Sequence, residues 1–232
     1  MSAILECINL SKNFNGLMAV SNLNLKLESG RIIGLLGPNG SGKTTLIKMI
    51  SGLLTPASGS LLINGMEPGV ETKKIVSYLP ERTYFNNAMK VSEILKLFSD
   101  FYEDFDRVKA EDMLRRLDVN PAFKFKTLSK GTKEKVQLVM VMARRAKLYL
   151  LDEPIGGVDP AAREYILDTV ISNYAEGASV LISTHLISDV ERVLNDFIFL
   201  RYGQLIMQGN VQQVCSEQGK SLDEIFREVF RC

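Results

Sequence analysis

The first third of the chain alternates short apolar runs with turn residues. The run "RIIGLLG", residues 31–37, leads into a glycine-rich loop, and the following "KTTLIKMISGLL" places Leu46, Ile47 and Ile50 at helical spacing. Gly52 is a typical helix stop. Strand character resumes in "SGSLLINGM", between turn glycines. The pattern therefore predicts a strand, a glycine-rich loop, a helix and a further strand in succession.

From about residue 82 the pattern becomes helical and charged. Residues 91–117 have helical character, with Asp106 as the predicted N-cap of their second half, until Pro121 interrupts the pattern. Further on, strand-like "LYLLDEP" and "SVLISTH" alternate with helical segments, one of them at residues 161–174, and "DFIFLRYGQLIMQG" predicts a hairpin turning near Tyr202 and Gly203. This alternation predicts an α/β fold with a mainly parallel sheet, interrupted by a helical insertion at about residues 82–130.

The balance of positive and negative residues indicates which kinds of binding partner are expected. The 232 residues include 28 Lys and Arg against 27 Asp and Glu, and 46% are hydrophobic. This composition is typical of a globular domain and argues against a nucleic-acid partner, which would demand a strongly basic surface. The basic residues Arg144, Arg145 and Lys147 are therefore expected on a solvated helix face.

The cysteine spacing and the short apolar runs argue against a disulfide-rich, zinc-binding, secreted or membrane-spanning chain. Cys7, Cys215 and Cys232 are widely spaced, which predicts neither a disulfide framework nor a zinc site and fits a reducing cytoplasm. The start "MSAILECINL" lacks the pattern of a secretory signal, and no apolar run approaches the length of a membrane span. Any membrane-spanning part is therefore expected on another polypeptide.

The loop after the run "RIIGLL" carries a phosphate-binding motif. Residues 37–44, "GPNGSGKT", match G-x-x-x-x-G-K-[ST] between a predicted strand and a predicted helix. Glycines let successive backbone N–H groups turn towards phosphate oxygens, and the N-terminus of the helix attracts the same anion. Lys43 supplies a positive charge for the β- and γ-phosphates, and the Thr44 hydroxyl is placed for Mg²⁺. A glycine-rich turn that happens to carry a lysine is the weaker interpretation.

Three polar side chains follow two other apolar strands. Asp152 ends "LYLLD" and is expected to hold Mg²⁺ directly or through water, while Glu153 is placed to polarise an attacking water. His185, the one histidine of the chain, follows "SVLIST" at the same sheet edge and is interpreted as a contact to the γ-phosphate or to the water. Adjacent carboxylates can also be solvated surface, and a lone histidine is often structural. The phosphate loop favours the functional interpretation.

The segment "LSKGTKEK", residues 128–135, opens a predicted helix with an unexpected charge pattern. Acidic residues are expected in the first turn of a helix, because its N-terminus is positive. Lysines stand instead at positions 130, 133 and 135, with only Glu134 against them. The pattern raises the question of which anion this helix start binds, and whether that anion is held by the same chain.

Together these motifs resemble the nucleotide-binding subunits of ATP-binding cassette (ABC) transporters. The resemblance covers nearly the whole chain and includes "GPNGSGKTT", "LSKGTKEK" as the signature, "LYLLDEP", "GGVDP" and the histidine after "SVLIST". It implies a single ABC ATPase domain over residues 1–232, with a P-loop NTPase core, an N-terminal antiparallel β subdomain and an inserted α-helical subdomain. Residues 1–81 would form the β subdomain and P-loop core, 82–130 the helical subdomain and 131–232 the remainder of the core.

The resemblance also implies two cofactors, ATP and Mg²⁺, and a role for each site residue. The residues implied to bind ATP are Phe14, stacking on adenine, and Asn39, Gly40, Ser41, Gly42, Lys43, Thr44 and Thr45. Those implied to hold Mg²⁺ are Thr44, Glu81 and Asp152, and the catalytic pair is Glu153 and His185. In a head-to-tail dimer, the signature residues Ser129, Lys130, Gly131 and Thr132 would face ATP on the opposite subunit, with Ser129 and the Gly131 N–H as donors to its γ-phosphate. Asp159 would lie in the dimer-contact loop.

Two positions depart from the family pattern. Glu81 stands where the family usually has glutamine, and its charge is expected to make nucleotide-driven closure more dependent on Mg²⁺. The signature has Lys130 and Thr132 in place of glycine and glutamine, and Thr132 is too short for the family's ribose-side contact to be carried over to it. Lys130 either faces solvent or adds positive charge beside the partner's nucleotide, and both interpretations stay open.

The resemblance implies a subunit that energises a membrane transporter through ATP-driven dimer closure and hydrolysis-driven opening. The partners would be a second ATPase subunit, expected to be another copy of this chain, and separate permease subunits at the inner face of the cell membrane. The segments "YLPE" and "LSKG" and the brevity of the chain resemble the bacterial exporter branch. Two alternatives stay open: a soluble ABC ATPase in cofactor assembly, and a nucleotide-gated assembly module with little hydrolysis.

Overall fold

The computed structural model describes residues 3–231, apart from the side chains of residues 161 and 162. Within this range the strands are β1 (Ala3–Phe14), β2 (Leu17–Glu28), β3 (Ile32–Leu36), β4 (Ser58–Ile63), β5 (Val76–Leu79), β6 (Leu148–Asp152), β7 (Ser179–Thr184), β8 (Asp196–Arg201) and β9 (Gln204–Asn210). The α-helices are α1 (Lys43–Ile50), α2 (Val70–Ile75), α3 (Val91–Phe101), α4 (Arg107–Arg116), α5 (Lys130–Met142), α6 (Pro160–Asn173), α7 (Ile187–Val190), α8 (Val211–Gln218) and α9 (Leu222–Phe230). Short 3₁₀ helices lie at Phe125–Thr127 and Glu191–Val193.

The larger sheet of the described residues has the strand order β5-β6-β7-β3-β8-β9. All neighbours pair in parallel except β8 and β9, which form the predicted antiparallel hairpin. β3, β6 and β7 are buried along their whole length, as expected for mainly apolar strands covered on both faces. The predicted α/β fold with a mainly parallel sheet is confirmed.

The smaller sheet is antiparallel, in the order β2-β1-β4, and confirms the predicted N-terminal β structure. Alternate leucines of β2, Leu23, Leu25 and Leu27, point into a core that also contains Leu46 and Ile47 of α1. Residues of β3 and β6 belong to the same core. The helix that follows the phosphate loop is therefore packed against side chains of both sheets, which fixes the position of its N-terminus.

The helices α3 and α4 lie within the predicted insertion at residues 82–130. Asp106 caps α4 as predicted, because its Oδ1 accepts a hydrogen bond from the Lys109 backbone N–H at 3.0 Å. Both helices pack with α5 in a second core on the other side of the larger sheet. The division of the chain near residues 82 and 130 stays a prediction.

One basic residue lies where the sequence did not place it. Arg144 is only 3% exposed, and its guanidinium donates hydrogen bonds to the Val76 carbonyl oxygen at 2.6 Å and to Asp104 Oδ1 at 3.0 Å. It also lies 3.9 Å from the centroid of the Tyr102 ring. The expected solvated helix face was therefore wrong, because α5 ends at Met142 before all three basic residues. Arg144 is buried and joins the helical segment to the start of β5, while Arg145 and Lys147 are exposed but lie outside any helix.

Cys7 is buried and Cys215 is half-buried, and both are free thiols in the described part of the chain. Cys232 lies outside the described residues. Between residues 3 and 231, none of the helices combines the length and the apolar character that a membrane crossing needs.

Candidate functional site

The loop between β3 and α1 has a backbone conformation that favours glycine. Gly40 and Gly42 have φ angles of 79° and 103°, in the left-handed region. A Cβ atom on Gly42 would lie 2.3 Å from the Ala19 carbonyl oxygen, so a side chain there would displace the loop. Lys43, the first residue of α1, is buried, and its Nζ donates a hydrogen bond to the Gly37 carbonyl oxygen at 2.8 Å. This ammonium lies at the positive end of α1, where an anion is favoured.

The buried Lys43 has an anionic neighbour in Glu153. Burial lowers the pKa of Lys43, and the nearby Glu153 carboxylate acts in the opposite direction. Nζ lies 3.6 Å from Glu153 Oε1, and the second carboxylate oxygen, Oε2, lies 3.1 Å from His185 Nδ1. Lys43, Glu153 and His185 therefore form one continuous chain of polar contacts.

The backbone at Glu153 is held in an uncommon conformation. Its φ angle is 49°, a region that costs a bulky residue on the order of 1–3 kcal/mol. The Glu153 N–H donates to the carbonyl oxygen of Ser183 at 3.0 Å and lies 3.1 Å from its Oγ. The adjacent strand β7 therefore holds Glu153 and directs its carboxylate towards Lys43.

Asp152 offers a buried oxygen for a cation. Its Oδ1 accepts hydrogen bonds from Thr44 Oγ1 at 3.1 Å and from Ser183 Oγ at 2.6 Å. Its Oδ2 is buried, and no residue in the range 3–231 donates a hydrogen bond to it. Burial is the main cause that raises the pKa of Asp152. Glu81 and Asp152 also line one small cavity of about 30 Å³. A hydroxyl and two carboxylates at one place are the kind of oxygen ligands that Mg²⁺ takes.

A larger cavity of about 1460 Å³ connects most of the predicted site residues. It is lined by Phe14, Asn39, Gly40, Ser41, Gly42, Lys43, Thr44, Thr45, Glu81, Lys130, Glu153 and His185. The predicted residues that do not line it are Ser129, Gly131, Thr132, Asp152 and Asp159. Asp152 still reaches its wall through the hydrogen bond to Thr44. The fold therefore brings strand ends from distant parts of the chain to one cavity beside a phosphate-type loop.

Known proteins share this combination of fold and motifs. The family model for the ABC transporter matches residues 20–156 of the chain. The chain belongs to the ABC transporter family. It is 33% identical over 205 residues to the ABC transporter ATP-binding protein YtrB of Bacillus subtilis (strain 168), which covers 87% of this chain and 70% of that protein.

Two further similarities extend over nearly the full length of this ABC protein. It is 30% identical over 230 residues to the SkfA peptide export ATP-binding protein SkfE of Bacillus subtilis (strain 168), covering 97% of this chain and 96% of that protein. A solved structure described as the ATP binding subunit of an ABC transporter is 30% identical and covers 98% of this chain and 100% of its own, with a TM-score of 0.87. The resemblance seen in the motifs is confirmed, and the chain is a nucleotide-binding protein of the ABC type.

The signature segment of this ABC protein begins helix α5. Ser129 is the N-cap, because its Oγ accepts the Thr132 N–H at 3.2 Å, and the two hydroxyl oxygens are 2.8 Å apart. Lys130 is 79% exposed, with its Nζ 3.8 Å from Glu134 Oε1. The helix start is therefore already capped by its own serine, while the lysine charge stays accessible at the cavity.

The predicted dimer-contact loop lies next to that lysine. Asp159 directly precedes α6, and its carbonyl oxygen accepts the Arg163 N–H at 3.0 Å. A Cβ atom on Gly157 would lie 3.8 Å from Lys130 Nζ, an ordinary contact distance. Lys130 therefore reaches the loop before α6 within one chain, and the role of both segments across a dimer stays a prediction.

Sequence interpretation missed two residues of the site. Ser183 pairs directly with Asp152 across β6 and β7 and bonds to both Asp152 and Glu153. In the sequence, Ser183 could be noticed only as a polar residue near the end of "SVLISTH". The strand register is needed to show that it lies opposite Asp152. The sequence placed Tyr202 near a hairpin turn but did not show that this turn borders the larger cavity.

Proposed function

We propose that the chain is an ATP-binding and ATP-hydrolysing subunit of a membrane transporter. The observation that carries this proposal is the chain of contacts from Lys43 through Glu153 to His185 inside the cavity of the phosphate loop. Lys43 is buried and needs an anionic partner. A γ-phosphate in the loop would replace Glu153 in that role, and the released carboxylate would then face a water molecule beside the phosphate.

The phosphates of ATP are proposed to bind to the loop and α1, with the base against Phe14. The residues that would hold the nucleotide are Phe14, Asn39, Gly40, Ser41, Gly42, Lys43, Thr44 and Thr45. The N–H groups of the loop and the α1 N-terminus favour the triphosphate, and Lys43 adds a full charge. The exposed Phe14 ring offers a flat apolar face for adenine.

Thr44, Glu81 and Asp152 are the proposed residues of the Mg²⁺ site. The buried Asp152 Oδ2, which accepts no hydrogen bond from any described residue, fits a cation ligand. Within residues 3–231 there is no group of three or more His, Cys, Asp and Glu side chains that could hold a metal alone. The remaining ligands would therefore be phosphate oxygens and water, as is usual for Mg²⁺. Bound there, Mg²⁺ would neutralise charge on the β- and γ-phosphates.

Glu153 is the proposed general base, and His185 is its proposed positioning partner. The Glu153 N–H donates to the carbonyl oxygen and the Oγ of Ser183, which holds Glu153 at the edge of the phosphate loop, so little movement is needed to reach a water beside the γ-phosphate. The 3.1 Å contact to His185 Nδ1 orients the carboxylate after Lys43 turns to the phosphate.

The closed state is proposed to be a dimer of two copies of this chain. The exposed start of α5 carries the signature residues Ser129, Lys130, Gly131 and Thr132, and Asp159 lies in the neighbouring loop. A helix N-terminus binds anions, so this face would meet the γ-phosphate of ATP on the opposite subunit. ATP then favours closure only through contacts that the open state lacks.

The transporter partner is proposed to be a separate permease, which would hold the chain at the inner face of the cell membrane. A cavity of about 490 Å³ lies where the helical segment meets the core, and Leu53, Arg82, Tyr84 and Tyr102 are among its lining residues. Leu53 and Tyr84 are exposed apolar side chains, a feature of docking sites. The export named for the relative SkfE supports an exporter.

Phosphate release by wild type and Glu153→Gln tests the hydrolysis directly. A general base contributes about 10²–10⁴-fold, so the variant should lose at least about 100-fold in rate. It should also trap an ATP-dependent dimer, visible by gel filtration. Glu176→Gln, an exposed glutamate away from the cavity, should behave as wild type. Similar phosphate release by wild type and Glu153→Gln would contradict the proposed mechanism.

A second experiment separates the transporter from its alternatives. Tyr84→Asp should reduce retention of the chain on membrane vesicles that contain the permease, while ATP binding stays unchanged. A protein that hydrolyses ATP but never associates with such vesicles would favour the soluble cofactor-assembly ATPase. Negligible hydrolysis with intact ATP-driven dimerisation would favour the nucleotide-gated module.

A further inference from the structure

The turn at Tyr202 is unusual among three similar turns in the described residues. Asn15 and Gly16, Asn64 and Gly65, and Tyr202 and Gly203 are pairs with positive φ at both positions, 48° and 89°, 48° and 78°, and 49° and 75° respectively. Two-residue turns of this kind favour Asn-Gly, because asparagine tolerates positive φ. For an aromatic residue, a positive φ is uncommon. The local backbone therefore does not explain why tyrosine occupies the third turn.

The same turn is fixed against the phosphate loop. The Gly203 carbonyl oxygen accepts the Ser21 N–H at 2.9 Å, and the Gly203 N–H donates to the Ser41 carbonyl oxygen at 2.9 Å. A Cβ atom on Gly203 would lie 2.6 Å from the Ala19 carbonyl oxygen. The turn is therefore held between β2 and the phosphate loop, and Tyr202 has a defined position relative to a bound nucleotide.

Tyr202 is one of four exposed apolar side chains that line the nucleotide cavity, together called the apolar patch here. Phe14, Leu17, Met18 and Tyr202 all line this cavity, and all are exposed, with Tyr202 at 73%. The Arg201 guanidinium lies 5.3 Å from the Tyr202 ring centroid and supports the ring. An apolar patch beside a charged loop is typical of a site for a ligand with a flat apolar end and an anionic end.

We propose that Tyr202 contacts the adenine base of bound ATP and forms a second aromatic surface of the base site beside Phe14. This inference rests on the proposed binding of ATP. The phosphate loop anchors the triphosphate at Lys43, and the patch lines the same cavity, so one ligand can occupy both. Gln204 also lines the cavity and carries an amide donor and acceptor for the polar edge of adenine.

Calorimetric titration of the Mg²⁺-loaded protein with ATP and with inorganic triphosphate tests this proposal. Stacking of one base on one aromatic ring is worth roughly 5- to 150-fold in affinity, so Tyr202→Asn should bind ATP more weakly by a factor in that range. Binding of inorganic triphosphate should change less than about twofold, because that ligand has no base. Tyr202→Phe keeps the ring and should retain wild-type affinity.

The thermal midpoint provides an independent readout. Asparagine suits the turn better than tyrosine, so Tyr202→Asn should unfold at the same or a higher temperature while it binds ATP more weakly. The matched reverse variant, Asn64→Tyr, should lower the midpoint without changing the affinity for ATP, because residue 64 does not line the cavity. A stabilised variant with weaker ATP binding is not expected if Tyr202 only supports the fold.

The outcomes separate this inference from the proposed function. Two results would overturn the role of Tyr202 and leave the proposed function intact: wild-type affinity of Tyr202→Asn for ATP, or an equal loss of affinity for ATP and triphosphate. In both cases Lys43→Ala should abolish binding of both ligands. A wild-type protein that binds neither ATP nor triphosphate would overturn the proposed function and this inference with it.

Discussion

Replacement of Arg144 by leucine should destabilise the protein more than any surface change on the same segment. The side chain donates hydrogen bonds to three backbone carbonyl oxygens, those of Val76, Lys74 and Lys73, at 2.6, 2.7 and 3.3 Å. It also pairs with Asp104 at 3.0 Å. Arg144→Leu would leave these acceptors without their donor at the junction between the helical segment and β5.

The magnitude follows from the burial of Arg144 and of the Val76 carbonyl oxygen, because the hydrogen bonds to the Lys73 and Lys74 carbonyls are only partly buried. A buried acceptor that loses its donor costs about 1–3 kcal/mol, and breaking a buried ion pair costs about 3–5 kcal/mol. Asp104 is 24% exposed, so water can replace part of its lost contact. We therefore expect Arg144→Leu to lower the free energy of unfolding by about 3–5 kcal/mol. For a chain of this size that corresponds to a fall of roughly 6–20 °C in the thermal midpoint.

The neighbouring Arg145 provides the matched control. It is 74% exposed and pairs with Asp106 at 2.8 Å on the surface. Exposed pairs of this kind contribute about 0–1 kcal/mol, so Arg145→Leu should change the urea midpoint little. Arg144→Lys keeps the charge but loses the planar guanidinium and its contact with the Tyr102 ring. Its loss of unfolding free energy should therefore lie between those of Arg145→Leu and Arg144→Leu. Equal urea midpoints for Arg144→Leu and Arg145→Leu would refute this reasoning.

Three further predictions concern single side chains. Glu81→Gln should reduce the ratio of ATP affinities measured with and without Mg²⁺, and an unchanged ratio would remove Glu81 from the metal site. Lys130 is exposed and pairs with Glu134, so Lys130→Gly should change the affinity of ATP-driven dimerisation, measured by gel filtration, by less than about twofold. Weaker dimerisation that also depends less on salt would instead place the Lys130 charge beside the partner's nucleotide. Burial raises the pKa of Cys7 from 9.0 to about 12, so at pH 9 a reagent that alkylates thiolates should label Cys7 only when the protein is unfolded in urea. Because the unfolded thiol ionises first, stability should fall as the pH rises from about 9 towards 12, and less so in Cys7→Val.

The elements that sequence predicted best have local causes. The helix cap at Asp106 depends on a side chain and an N–H three residues apart, and the phosphate loop is a contiguous run at residues 37–44. The hairpin between β8 and β9 is also local, since its strands are adjacent in the chain. Each of these depends on neighbours whose identity can be seen directly in the chain.

The features that sequence left open or misplaced depend on long-range pairing. Ser183 reaches Asp152 only because β6 and β7 are neighbours in register, and Arg144 is buried only because β5 begins beside it. The boundaries at residues 82 and 130 are hard to predict for the same reason, since α5 packs with α3, α4 and the larger sheet.

By itself, the sequence determined the strand and helix succession, the phosphate loop and the polar residues at two strand ends, because periodicity and short motifs act over a few residues. Only the tertiary structure decided that Lys43 contacts Glu153, that Asp152 Oδ2 is buried without a donor among the described residues, and that Tyr202 borders the same cavity as the phosphate loop. The contacts of Lys43 with Glu153 and of Thr44 with Asp152 join residues more than a hundred positions apart. They exist because the packing of two sheets around α1 brings those positions together. A local sequence pattern cannot predict such contacts between residues far apart in the chain.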